Sequence, residues 1–223
     1  HIKVIEDAYT GQAFITTDMD DNQITAFHPG AMGESHQNKV SDASNADIGI
    51  VSPDGRDGMI EHAQQFHEAQ IPFIFDPGQG LPMFSGEELI TFIEQATYVA
   101  MNDYESQMLQ DKTELDLATL ASKVEAFIVT KGGEGSEIYS SGEVINIAPA
   151  KADATQDPTG CGDAYRAGLL FGIMNDLSWK ATGQLAGLLG AIKIAHPGTQ
   201  NHTFTLADIE KLYQDNYGEA LLA

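Results

Sequence analysis

Gln156-Asp157-Pro158-Thr159-Gly160-Cys161-Gly162-Asp163 runs straight into Ala164-Tyr165-Arg166-Ala167-Gly168-Leu169-Leu170, whose apolar spacing predicts a helix. Gly160 and Gly162 leave successive main-chain N–H groups free to point at one spot. The start of the helix adds about half a positive charge there. Together they make an anion pocket that needs no basic side chain. Asp163 stands beside it, where a carboxylate can take a proton from an attacking hydroxyl. An anion pocket next to a base is the equipment for phosphoryl transfer to an alcohol. The same letters also fit a plain helix start, with Asp163 as a stabilising first-turn acid.

Two further loops carry chemistry of their own. Asn102-Asp103-Tyr104-Glu105 puts an amide and a carboxylate after an apolar run, which suits the water-rich shell that Mg²⁺ keeps. Its alternative is an N-capped helix start with exposed acids. Thr130-Lys131-Gly132-Gly133-Glu134-Gly135 is a glycine-rich strand exit, with Lys131 placed to meet a phosphate. It is not a Walker A loop and lacks the Gly-x-Gly-x-x-Gly spacing of a dinucleotide fingerprint, which disfavours a Rossmann-type dehydrogenase. Cys161 sits where a helix start lowers a thiol pKa, yet no partnered His follows at a recognisable spacing. His62 and His67, five apart, share no helical face and make no metal signature. Arg166, one turn into the helix, is placed either to touch a nucleotide phosphate or, as is commoner for a helical arginine, to lie at the surface.

The elements that must hold these loops alternate along the chain. ADIGIVSP, IPFIFDPG, TYVAMN and AFIVTKGG read as buried strands, with helices over Arg56 to Gln70, around Ser85 to Ala96, and in pieces up to Lys123. Such alternation predicts an α/β fold with a mostly parallel sheet and helices on both faces. Gln12 to Asp18 and Gln23 to Phe27 predict a hairpin around Met19-Asp20-Asp21-Asn22, and SEIYSSGEVINIA predicts a second around Ser141-Gly142. The last third reads as three helices, Cys161 to Asn175, Trp179 to Ala195 and Leu206 to Asn216. No linker or repeat interrupts the chain, so one domain over 1–223 is expected. In open α/β sheets ligands bind beyond the carboxyl ends of the strands, where the glycine-rich loops fall.

Composition narrows the partners. The 223 residues hold 11 Lys+Arg against 33 Asp+Glu, a net charge of −22. Nucleic acid and anionic membranes need a basic footprint, which this charge denies them. No run of 18 apolar residues is present to span a bilayer. One cysteine excludes an internal disulfide framework and agrees with a reducing, cytoplasmic location.

Asp157-Pro158-Thr159-Gly160-Cys161-Gly162-Asp163-Ala164-Tyr165 resembles the C-terminal signature of the PfkB, or ribokinase-like, carbohydrate and nucleoside kinases, with Cys161 where members more often carry alanine. Asn102-Asp103-Tyr104-Glu105 fits that family's N-x-x-E motif. The stretches FIFDPGQGLP, VTKGGEGS, DPTGCGDAYRAG and GAIKIAHPGTQNH are most similar to its bacterial adenosine kinase-like members. The resemblance implies a three-layer α/β/α fold, mostly parallel, with a small β lid at about 10–30.

It also implies roles. Asp163 would be the general base, and the N–H groups of Gly160, Cys161 and Gly162 the anion hole. Asn102 and Glu105 would organise Mg²⁺, Glu105 through water. Thr130, Lys131, Gly132 and Gly135 would contact the nucleotide, with Gly198 and Asn201 near its adenine. Asp157 and Thr159 correspond to a monovalent-cation site that takes K⁺ in several relatives. Gln12 and Phe14 on the lid would face the acceptor.

The expected reaction transfers the γ-phosphate of ATP to a primary hydroxyl of a nucleoside or sugar, adenosine first and a ribose-type sugar second. The alternative is a non-catalytic nucleotide- or nucleoside-binding protein of the same fold. Lid strands pair between subunits in some relatives, so a homodimer is allowed. Members normally begin with further sheet strands, part of the lid and an acceptor-sugar motif. HIKVIEDAYTGQAFITTD therefore reads as the middle of such a protein, at the returning strands of the lid.

Overall fold

A computed structural model describes residues 2–17, 23–43 and 45–222. Gln12–Thr17 (β1) and Gln23–His28 (β2) pair antiparallel, from Gln12 opposite His28 to Thr17 opposite Gln23. The hairpin's expected turn at Met19 to Asn22, with Asp18, lies outside the described residues. Short 3-10 turns follow at Gly30–Gln37 and Val40–Asp42, which no apolar period foretells.

The apolar runs then behave as expected of strands covered on both sides. Gly49–Val51 (β3) and Phe73–Phe75 (β4) run parallel, joined by the helix Arg56–Glu68 (α1), a βαβ connection. Phe73, Ile74 and Phe75 are fully buried. Helix α1 turns Met59 and Ala63 inward, and Phe66 stacks on Phe73 with centroids 5.6 Å apart. Gly86–Gln95 (α2) starts from a capping box: the Glu88 N–H donates to Ser85 Oγ and the Ser85 N–H to Glu88 Oε2. That start sets Phe92 against Phe75 at 4.6 Å and edge-on to Phe84 at 4.9 Å.

Tyr98–Asn102 (β5) leads into Asp103–Thr113 (α3) and Leu117–Ala121 (α4). Ala126–Thr130 (β6), Ser136–Ser140 (β7) and Glu143–Ile147 (β8) then pair antiparallel in sequence. At the predicted Ser141-Gly142 turn both residues have positive φ, 54° and 79°, the handedness that matches strand twist in a two-residue hairpin. Cys161–Met174 (α5), Trp179–Ile194 (α6) and Leu206–Tyr217 (α7) complete the chain.

The strand order β3-β4-β5-β6-β7-β8 makes one mostly parallel six-stranded sheet, so the α/β class read from the sequence is the one observed. The chain divides into two compact units, His1–Tyr98 with Asp111–Glu114, and Val99–Gln110 with Leu115–Ala223. In the second unit α5 and α6 approach closely. A Cβ on Gly168 would stand 2.5 Å from the Ala186 Cα, so only glycine fits there. Leu185, Leu188, Ile209 and Tyr213 close the core beneath α7. No helix among the described residues is long and apolar enough to cross a membrane.

Candidate active site

The loop before α5 is held from behind. The N–H groups of Gln156 and Asp157 both donate to the Ile194 carbonyl at the end of α6, at 2.8 and 3.2 Å. The Asp157 carboxylate accepts the Thr159 N–H on Oδ1 (2.9 Å) and the Gly198 N–H on Oδ2 (2.8 Å). These bonds, with a smaller pull from the charge of Lys193, hold its carboxyl down at about 2. Gly160 then takes φ +86°, a left-handed turn that glycine makes without strain, and α5 begins.

One of the expected donors is already bonded within the turn. The Cys161 N–H is bonded to the Pro158 carbonyl at 3.1 Å, closing a tight turn. The amides of Gly160, Gly162 and Asp163 find no acceptor among the described residues. The amides left unengaged around this turn are therefore those of Gly160, Gly162 and Asp163, while that of Cys161 shapes the turn between them. The Asp163 side chain is exposed in the first turn of α5. Burial pushes the Cys161 thiol up, against an opposing pull from Lys193, so it is no activated nucleophile.

A cavity of about 360 Å³ opens beside this turn. Cys161, Gly162, Tyr165 and Arg166 of α5 form one wall, and Thr130, Gly132 and Gly135 at the β6 exit form another. The Tyr165 hydroxyl and Ser136 Oγ, 2.7 Å apart, tie the two walls together. Gly187, Gly190 and Ala191 of α6 and the segment Ile147 to Ala150 at the end of β8 complete an apolar slot. Small-residue walls with a few polar groups at one end suit a planar heterocycle joined to an anion. Arg166, expected on the surface, is only 9% exposed and lies on this wall.

Lys131 is off the cavity wall and ion-paired with Glu137. That bond is the main reason the Glu137 carboxyl is lowered. Gly198 gives its amide to Asp157, and Asn201 Nδ2 donates to the Pro197 carbonyl at 2.8 Å; neither lines the cavity. Gln12 and Phe14 are exposed on β1 in the first unit.

Asn102 and Glu105 meet as a reciprocal cap at the start of α3. The Glu105 N–H donates to Asn102 Oδ1 at 2.7 Å and the Asn102 N–H to Glu105 Oε2 at 2.8 Å. Among the described residues no group of three or more His, Cys, Asp or Glu is placed to hold a metal ion.

Sequence reasoning missed two features. One is the α6 wall, whose signal was the small residues Gly187, Gly190 and Ala191 at helical spacing. The other is Lys193, fully buried, whose Nζ donates to the Asp157 carbonyl at 2.6 Å and the His196 carbonyl at 3.2 Å. The Asp157 oxygens expected to hold K⁺ already have partners. The Asp157 carbonyl already receives an ammonium, and each carboxylate oxygen already accepts an amide.

Residues 1–205 match the pfkB family of carbohydrate kinases. The nucleoside kinase of Methanocaldococcus jannaschii is 31% identical over 198 residues, covering 88% of this chain and 65% of that protein. The Burkholderia thailandensis nucleoside kinase in complex with inosine superposes with a TM-score of 0.94 at 48% identity, over 96% of this chain and 71% of that one. Its complex with ADP-inosine gives 0.92 over 67% of that chain. The chain thus spans about two thirds of the length of these relatives.

Proposed function

Because the chain belongs to the pfkB family of carbohydrate kinases, we propose that it serves an ATP-dependent phosphotransferase whose acceptor is the primary hydroxyl of a nucleoside. The observation that carries this reading is the α5 turn. The amides of Gly160, Gly162 and Asp163, unengaged among the described residues, lie in one turn whose Cys161 and Gly162 line a nucleotide-sized slot, and the Asp163 carboxylate is exposed in the same turn. Adenosine is the first acceptor to try. Inosine joins it because the Burkholderia relative was solved with it, and a ribose-type sugar is the third choice.

In the proposed step the acceptor oxygen attacks the γ-phosphorus as its proton passes to Asp163. The bond from that phosphorus to the β–γ bridging oxygen breaks, and ADP leaves with the electron pair. The turn amides hold the charge that spreads over the transferring oxygens. Oriented donors of this kind are worth about 3 kcal/mol each in acyl transfer. Thr130, Gly132 and Gly135 would flank the nucleotide, and Arg166 would face its phosphates.

Mg²⁺ fits only as a hydrated ion, because no cluster of charged ligands is assembled for it among the described residues. Glu105 would hold it through water beside Asn102, and the ion would neutralise charge on the phosphates when bound. The exposed apolar residues Phe14, Ile15, Ile24 and Phe27 on the β1–β2 hairpin support a homodimer through that ribbon.

The test is incubation of the intact protein with Mg-ATP and, separately, adenosine, inosine, ribose and fructose 6-phosphate, with ADP release as the readout. Release that depends on a nucleoside is the expected result. Nucleotide binding without release in every incubation would support a binding protein instead.

A further inference from the structure

The loop that precedes α5 is shaped around a positive charge supplied by the chain itself. Lys193 lies in the last turn of α6 and is 0% exposed, a rare state for a lysine. A buried ammonium persists only when its donors are met by well-placed acceptors. Here the Asp157 carbonyl lies at 2.6 Å and the His196 carbonyl at 3.2 Å. Asp157 leads the phosphate loop and His196 opens the segment that packs behind it. One cation therefore clamps both sides of the turn that offers the amides of Gly160 and Gly162.

Its field reaches the turn, since its charge acts on both the Asp157 carboxyl and the Cys161 thiol. A second cation beside this ammonium would meet like-charge repulsion in a partly desolvated place. It would also find the Asp157 oxygens already engaged.

We propose that the Lys193 ammonium is the fixed cation of the phosphate loop, and that K⁺ is not taken up there. Lys193 is then a positioning residue: it orders the loop and places positive charge behind the amides, without touching the nucleotide. A K⁺-dependent enzyme acquires that charge from solution, whereas this chain carries it covalently.

The experiment has one arm on the unaltered protein and one on Lys193→Met, which keeps the side chain's length and removes its charge. In the first, KCl is exchanged for tetramethylammonium chloride at constant ionic strength. Melting temperature is expected to stay within about 1 °C and turnover within about twofold, because no ion that binds the folded state is being withdrawn. A clear rise in melting temperature specific to K⁺, or a tenfold activation by it, would overturn the proposal.

In the second arm Lys193→Met is expected to lose about tenfold or more of turnover, roughly the effect of one weakened charge-stabilising group. K⁺ or NH₄⁺, but not tetramethylammonium, is expected to raise its melting temperature and restore part of its activity. Unchanged turnover, or loss with no cation-specific recovery in either readout, would assign Lys193 to packing alone and sink the idea. Should the variant not fold, the first arm decides by itself. The turnover readout rests on the kinase reading; the melting readout does not, so the two failures are distinguishable.

Discussion

Asp157 is the residue on which the candidate site converges. Its carboxylate ties Thr159 to Gly198, its carbonyl receives Lys193, and its own amide binds Ile194. Its carboxyl falls to about 2 when folded, below the value near 3.9 of an unfolded chain. A lowered acid pKa contributes stability that is complete above pH ~4 and lost as the pH falls through about 2. Chemical denaturation of Asp157→Asn against the parent protein is expected to show a stability gap that is constant above pH ~4 and narrows below it. A gap that widens on acidification would mean the carboxylate is not held in its charged form.

At this scale the sequence was half legible. The order Asp-Pro-Thr-Gly-Cys-Gly-Asp announces an anion turn, but not that Cys161's amide is consumed in making it. Spacing also did not show how the two lysines are engaged. Lys131 beside glycines looks like a ligand contact, yet Glu137 takes it. Lys193 in an apolar helix looks incidental until Asp157, 36 residues earlier, is brought against it.

Among the elements, α6 matters for what it leaves out. A Cβ at Gly187 would meet nothing within 4 Å, although the residue lies mid-helix on the cavity wall. Gly187→Ala is therefore expected to raise stability by about 1 kcal/mol through helix propensity, measured by chemical denaturation. Gly187→Leu is expected to fold as well but to weaken ATP binding by about tenfold or more, near 1.4 kcal/mol. Normal ATP affinity in Gly187→Leu would place the adenine elsewhere.

The strands and helices themselves were largely readable, because buried apolar runs such as IPFIFDPG and capped starts such as Ser85 with Glu88 are local signals. The cavity was not. Its walls come from β6, β8, α5 and α6, and only pairing and helix packing bring Thr130, Ile147 and Gly190 together.

For the whole molecule the dominant quantity is a net charge of −22 on 223 residues. An anionic nucleotide approaches against that field, and among the described residues only Lys193 and Arg166 are buried cations near its proposed seat. Screening should then help binding. The KM for ATP is expected to fall as tetramethylammonium chloride rises from about 10 to about 150 mM, since the Debye length shrinks from about 30 to 8 Å. A rising KM would mean that local cations outweigh the net charge.

The β1–β2 ribbon raises a second question at this scale, because Phe14, Ile24 and Phe27 are each more than half exposed. Ile24→Asp is expected to shift the intact protein toward monomer in sedimentation velocity; a monomeric parent would remove that ribbon as an interface.

The central claim is narrower: the carboxylate in the first turn of α5 receives the acceptor's proton beside amides that hold the phosphate. Asp163→Asn keeps the side chain's size and both halves of the anion turn. Titration calorimetry with ATP should show affinity within a few-fold of the parent, while nucleoside-dependent ADP release drops by about 10²-fold or more. Near-parental turnover in that variant would contradict the account.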